Sequence, residues 1–326
     1  MNMRKSILPA YICLSMAVLS ACHRSESAYT PQAVSNIYGL MRDYNSLDSA
    51  SATHEVEAMQ PEITAFFKTV SEMPLDSEII RGWASSQAVE MFTPPVDSVF
   101  GGVEQLENIL GHILNSAEAN GIDLPQRRYA AVVYDRPKSI LFVDSVMLIA
   151  LNHYLGADFP GYSHWPYFMR QSKTPQALPF DIAEALVATS YPFRNDNPDA
   201  LSRLLYEGAL TKAKMALNGS TDAAAALGYD EDTYKRLLAD EENLWRSLIA
   251  SQTLYDTSSA TIDKLVYPAP QVTLPGITVP GRAGRFIGYR IVESYLAKHP
   301  STSLAQLLSP TFYANPSALI DAEYQP

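Results

Sequence analysis

Apolar residues recur at helical spacing through the first third of the chain. From about residue 53 to residue 120 they follow the 3.6-residue period, most clearly where Leu106, Ile109, Leu110, Ile113 and Ala117 share one face and Asn120-Gly121 supplies a stop. The period then changes. Tyr129 to Tyr134, Ile140 to Val143 and Val146 to Leu151 are short runs rich in valine, isoleucine and aromatics. Asp135-Arg136-Pro137-Lys138 separates the first pair and Asp144-Ser145 the second, a pattern that predicts a three-stranded meander. Residues 152–180, dense in proline, glycine and aromatics, read as an ordered loop.

Helical patterning returns afterwards. Asn197-Pro198 offers a cap and a first-turn proline for a helix to about Leu217, and Asp230 and Asp240 each look like caps for further helices. Residues 267–281, proline-rich with Gly276 and Gly281, read as a rigid extended connection. Arg282 to Lys298 forms a helix with Phe286, Ile287, Ile291 and Tyr295 for one face, and Asn315-Pro316 opens a last short one. About six to eight helices around one small antiparallel sheet make an α+β fold, predominantly helical, and no internal boundary divides residues 31–326.

The extreme N-terminus has a different logic. Arg4 and Lys5 precede an apolar stretch from Ile7 to Leu19, shorter than the ~20 residues that span a bilayer. It ends on Leu19-Ser20-Ala21-Cys22, small residues directly before a cysteine. This layout predicts a signal peptide over residues 1–21, lipidation of Cys22, and a polar tether to residue 30. Several acyl chains, at roughly 0.8 kcal/mol per buried methylene, would hold the protein to a membrane.

Composition narrows the partners. Hydrophobic residues are 47% and charged residues 18% of the chain, ordinary for a globular protein. The net charge is −11, and loss of Arg4 and Lys5 with the leader, which carries no acid, makes it −13. Such a surface argues against nucleic acid. Cys13 and Cys22 are the only cysteines, so the mature chain has no thiol for a disulfide, a metal or a nucleophile. Nineteen tyrosines suit either interfaces or a large core.

Several segments together carry a family resemblance. Ile149-Ala-Leu-Asn-His-Tyr-Leu-Gly-Ala-Asp-Phe-Pro160, the aromatic run from Tyr162 to Arg170, Leu204-Leu-Tyr-Glu-Gly208, Gly281-Arg-Ala-Gly-Arg-Phe-Ile-Gly288 and the closing Tyr324-Gln-Pro326 resemble, in order and spacing, the GldB gliding-motility lipoproteins of Bacteroidetes. Asn152 stands where that family is expected to have aspartate. The resemblance implies an envelope lipoprotein associated with gliding and type IX secretion. It also implies a degenerate zincin-like domain, because the family is distantly similar to zinc metallopeptidases of the gluzincin type, where a His-Glu-x-x-His helix and a later glutamate hold the metal.

Zinc catalysis needs three ligands, an open position for water and a base. The best match to the first helix, Ala183-Glu184-Ala185-Leu186-Val187, keeps Glu184 in the base position but has Ala183 and Val187 where the histidines belong. Glu207, twenty residues after Val187, falls where the third ligand would be. Glu184 and Glu207 are therefore expected as relics, with no bound metal and no cofactor. His23, His54, His112, His153, His164 and His299 include no pair three or four apart, although His153 and His164 could meet in space. There is no Gly-x-Ser-x-Gly elbow or phosphate-binding glycine loop. Gly284 and Gly288, four apart, suit a close helix approach.

The expected function is that of a lipid-anchored, non-catalytic envelope protein, facing the periplasm and acting through protein contacts. His-Arg-Ser-Glu-Ser after Cys22 carries no clear acidic surface-export signal. Candidate partner-binding residues are Tyr154, Tyr162, Trp165, Tyr167, Phe168 and Arg170 in the aromatic loop, with Arg282 and Arg285 as cations for an acidic segment. The alternatives are an active hydrolase, either a metallopeptidase or a glycosidase using Glu184 and Glu207, and a lipoprotein that binds a glycan or nutrient.

Overall fold

A computed structural model describes residues 30–326; the leader, Cys22 and most of the tether lie outside the described residues. Within that span the chain is α+β and predominantly helical. A four-stranded sheet is built from β1 (Ser35–Asn36), β2 (Arg128–Val132), β3 (Ile140–Val143) and β4 (Val146–Ala150), in the order β1-β2-β4-β3. A separate hairpin joins β5 (Val272–Leu274) to β6 (Ile277–Val279).

The expected meander is corrected by this order. β3 and β4 do form an antiparallel hairpin, closed by Asp144-Ser145 with Asp144 in the left-handed region that aspartate tolerates. β2, however, runs parallel to β4, and β3 lies outside them at the edge. The physical reason is burial: all five β4 residues are buried, as expected of a strand covered on both faces. Alternation then sorts the side chains. Tyr129, Ala131, Met147 and Ile149 enter one core, while Ala130, Val132, Leu148 and Ala150 enter the other.

The second of these cores is closed by helices Ile37–Asp43, Gln60–Val70 and Ser77–Ala84. The first, larger core carries the candidate site. Its axis is helix Ala200–Leu217, buried on nearly every side and packed against helices Leu178–Ser190 and Ala283–Lys298. Its start falls two residues beyond the expected Asn197-Pro198, because Asp199 forms a reciprocal capping box with Ser202. Asp230 caps the helix Glu231–Ala239 through Thr233 N at 2.7 Å, whereas the Asp240 side chain makes no capping bond.

Three further expectations change. The described residues hold seventeen α-helical segments rather than six to eight, since many are single turns that hydrophobic periodicity cannot register. The extended connection over 267–281 contains the β5–β6 hairpin, turned by Pro275-Gly276 with Gly276 at φ 78°, a proline–glycine turn of the type that needs a positive φ after proline. Residues 152–180, expected as an ordered loop, instead carry a short helix at Tyr167–Arg170 and the first turn of the helix Leu178–Ser190, with irregular backbone and single 3-10 turns elsewhere. No helix among the described residues is long and apolar enough to cross a membrane.

Candidate functional site

Glu184 and Glu207 come from neighbouring helices and meet through one arginine. Glu184 follows Ala183 on the Leu178–Ser190 helix, and Glu207 sits midway along the buried Ala200–Leu217 helix. Arg285, on the first turn of the Ala283–Lys298 helix, donates through Nη1 to Glu184 Oε1 at 3.0 Å. Its Nε lies 2.9 Å from Glu207 Oε2, an ion pair whose N–H points off the line of a hydrogen bond. Lys214 pairs with the other oxygen of Glu184, and Arg203 donates to Glu207 Oε1 at 2.9 Å from one turn earlier on the same helix. The Glu207 side chain is only 2% exposed.

The electrostatics follow from burial and pairing. Burial raises the Glu184 carboxyl, but the Arg285 guanidinium and the Lys214 ammonium outweigh it and hold the group well below the usual carboxylate range. Asp181, one turn before Glu184, is pushed the other way by burial and by the Glu184 charge. It accepts a hydrogen bond from Tyr154 Oη at 2.9 Å. Together Asp181, Glu184, Lys214, Arg282 and Arg285 line a small polar cavity of about 110 Å³.

Ala183 and Val187, at the positions the resemblance assigns to metal-binding histidines, are both fully buried in the apolar core. Among the described residues, no group of three or more His, Asp or Glu side chains is placed to hold a metal ion. His153 and His164 both pack on Trp165, with ring centroids at 5.7 and 5.3 Å.

The aromatic loop divides. Tyr154 and Tyr162, both expected as partner contacts, are buried, and Tyr162 Oη donates to Asn152 O at 2.5 Å. They are core residues, which corrects the expectation for those two. Trp165 stacks on Tyr162 at 5.0 Å, and Arg170 donates to Ala157 O. Tyr167 is 59% exposed, and with Phe168 it lines an open groove of about 790 Å³. That groove passes Tyr229, Thr278 and Val279 and reaches Arg282, which lines both it and the polar cavity. Arg282 and Arg285 thus join the site of the two glutamates.

Asn152, the departure from the expected aspartate, is buried and pairs with the Tyr134 backbone in both directions. Its Nδ2 donates to Tyr134 O at 2.8 Å and its Oδ1 accepts from Tyr134 N at 3.3 Å. An ionised aspartate could only accept, and would leave that carbonyl facing a negative charge.

Asp181, Lys214, Arg203 and Lys173 were not singled out from the sequence. Signals existed: Asp181 and Arg203 stand three and four residues before the glutamates, and Lys214 interrupts the apolar run from Ala213 to Leu217.

His153 gives the region a pH dependence. It is 3% exposed, its Nδ1 lies 3.1 Å from Ser139 Oγ, and burial followed by the nearby Lys173 charge lowers its pKa to about 3. Below about pH 6.5 the unfolded chain takes up a proton that the folded chain refuses until about pH 3. Stability should therefore fall on acidification by roughly 1.4 kcal/mol per pH unit from this group. Denaturant unfolding at pH 6.5 and 5.0 is expected to show about 2 kcal/mol of loss that His153→Gln removes. An unchanged loss in the variant would assign the effect to other groups.

A mixed sheet between two helical layers, with Glu184 and Glu207 paired to cations in the larger core, defines a predominantly helical α+β protein. The chain belongs to the family described as gliding motility protein GldB, matched over residues 27–326. Membership makes it a cell-envelope protein of gliding motility. No curated protein and no solved structure matches it.

Proposed function

We propose that the chain is a non-catalytic, lipid-anchored envelope protein, facing the periplasm, that serves gliding through contacts with protein partners. The observation that carries this reading is the engagement of both relic glutamates. Glu184 is held by Lys214 and Arg285, and Glu207 by Arg203 and Arg285. A zinc site would have to strip these cations away and recruit ligands from Ala183 and Val187, which have none to give. A glycosidase would need one free carboxylic acid and one free carboxylate across a sugar ring, and a cavity of about 110 Å³ between paired groups does not offer that. The groove beside it, with exposed Tyr167, supplies contact area of the kind that anchors protein interfaces.

The test is metal content of the full chain in detergent after zinc incubation and desalting. Zinc well below one equivalent is expected, unchanged by Glu207→Ala. Near-stoichiometric zinc that Glu207→Ala removes would overturn the reading. The same preparation yields the mass of the N-terminal peptide, where an unmodified Cys22 sinks the anchor. Protease treatment of intact cells checks orientation, since digestion without permeabilisation would place the protein on the outer surface.

A further inference from the structure

Of the three arginines around the two glutamates, Arg203 and Arg285 hold carboxylates, and Arg282 has no ion pair among the described residues. Its Nη1 approaches only the carbonyls of Leu227 and Gly228, at 3.4 and 3.5 Å, and its buried Nε has no hydrogen-bond partner. An arginine presents five donors, and burying them unpaired is costly.

The backbone goes out of its way to put that guanidinium there. Arg282 has φ 66°, a left-handed conformation that costs a residue with a side chain of this size roughly 1–2 kcal/mol and that glycine adopts freely. Opposite it, Gly228 also has a positive φ, and a Cβ on Gly228 would collide with Arg282 Nη1. One glycine is thus used to make room for the guanidinium, while a glycine is withheld where the backbone would prefer it. Strain of this kind, persisting in a folded protein, collects at binding sites.

The charge balance points the same way. Lys214, Arg282 and Arg285 line the cavity against Asp181 and Glu184, and Lys173 adds a further positive charge facing Asp181. Glu207, outside the lining, is already shared between Arg203 and Arg285. The cavity therefore carries surplus positive charge within a chain whose net charge is −11. Arg282 is also the N-cap of the 16-residue Ala283–Lys298 helix, whose dipole adds to that potential. The groove contains Asp230 and Asp240 as well, but Asp230 is committed to Thr233 N and Gln171 Nε2, and Asp240 is exposed.

We infer that Arg282 binds the carboxylate of an extended peptide segment lying in the adjoining groove. The cavity of about 110 Å³ is far below the ~300–1,000 Å³ that encloses a whole small molecule. It accepts the end of a ligand whose remainder occupies the groove of about 790 Å³ along Tyr167, Tyr229 and Thr278. The planar guanidinium can grip both carboxylate oxygens at once. This inference rests on the partner-binding reading and gives the partner a chemistry: the free C-terminal carboxylate of a chain end.

The test measures binding to the full chain in detergent, at fixed ionic strength, of three probes. These are N-acetyl-trialanine with a free C-terminal carboxylate, its C-terminal amide, and inorganic phosphate. The acid is expected to bind at least about tenfold tighter than the amide. Arg282→Gly should erase that difference while the unfolding midpoint holds or rises, because glycine relieves the left-handed strain. Arg282→Asn, also suited to that conformation, takes its place if the glycine variant does not fold. Equal affinity for acid and amide, no binding of the acid, or discrimination that survives in the variant overturns the inference. Phosphate binding without acid binding would also overturn it, and would make the ligand a phosphate group. Retained zinc would instead sink the non-catalytic reading, and the two failures are read from different measurements.

Discussion

Arg285→Ala should cost the folded protein about 3–5 kcal/mol, the range for removing one partner from a buried ion pair. The residue serves two carboxylates from two different helices, and its side chain is 15% exposed while Glu207 is 2% exposed. Without it, Glu207 keeps only Arg203 and Glu184 keeps only Lys214, and both carboxylates remain in the core. Arg285→Lys retains the charge but offers a point where a fork is needed, so an intermediate loss is expected. Urea unfolding read by circular dichroism gives the comparison, with the slope checked to confirm that the transition stays two-state. A loss under about 1 kcal/mol for the alanine variant would mean that water reaches the cluster, as at an exposed pair. The non-catalytic reading would then lose its main support, since glutamates so easily freed could serve a reaction.

The same cluster shows where reading the sequence reached and where it stopped. Glu184 and Glu207 follow from the family resemblance and the spacing it implies, and the structure brings them to one site. Arg285 and Arg282 were noticed for a different reason, as cations in an acidic chain, and nothing in one dimension says that they close onto those glutamates from a helix about a hundred residues later. The helical pattern takes in Arg282, whereas it lies just outside the helix at positive φ; only glycine-like positions betray such a conformation, and arginine hides it. The signal at Lys214 is weak, since a lysine on a helix is usually solvated, yet this helix has almost no solvated face.

For the sheet the limit lies in pairing. The three runs from Tyr129 onward were legible because β-branched and aromatic residues cluster between turn signals. Their order was not, since a strand buried on both faces has no alternation to set its register or its neighbour. The continuous apolar run Val146 to Ala150 did carry the hint of a central strand with a parallel partner, and the short separators outweighed it. β1, at two residues, has no pattern to read. Tyr154 and Tyr162 failed as surface contacts for a related reason: tyrosine suits a core and an interface equally, and only neighbours decide.

Gly284 and Gly288 are legible for what they do: they mark a close helix crossing, and Gly288 has the nearest backbone neighbour of any glycine among the described residues. A Cβ on Gly288 would fall onto the carbonyl oxygen of Leu204, and one on Gly208 onto the carbonyl of Gly288 itself. At Gly284 it would meet Leu265 Cβ at 2.7 Å and Leu265 O at 2.8 Å. The obstacles at 208 and 288 are backbone atoms, which cannot swing aside as a side chain can. Gly288→Ala must therefore push the Ala200–Leu217 and Ala283–Lys298 helices apart along the axis of the larger core. Overpacking costs typically 1–3 kcal/mol and more where nothing can yield, against the ~1 kcal/mol that alanine gains over glycine in a helix. A net loss of about 2 kcal/mol is expected for Gly288→Ala and for Gly208→Ala. Gly82, in the helix Ser77–Ala84 with open space around it, is the control: Gly82→Ala should stabilise by up to ~1 kcal/mol. Because Arg285 rides on the same helix as Gly288, the displacement should also loosen the bridge between Glu184 and Glu207, so Gly288→Ala and Arg285→Ala should be less than additive. If Gly288→Ala instead behaves like Gly82→Ala, the helices do not touch where the cluster requires them to, and the site described by their meeting falls with them.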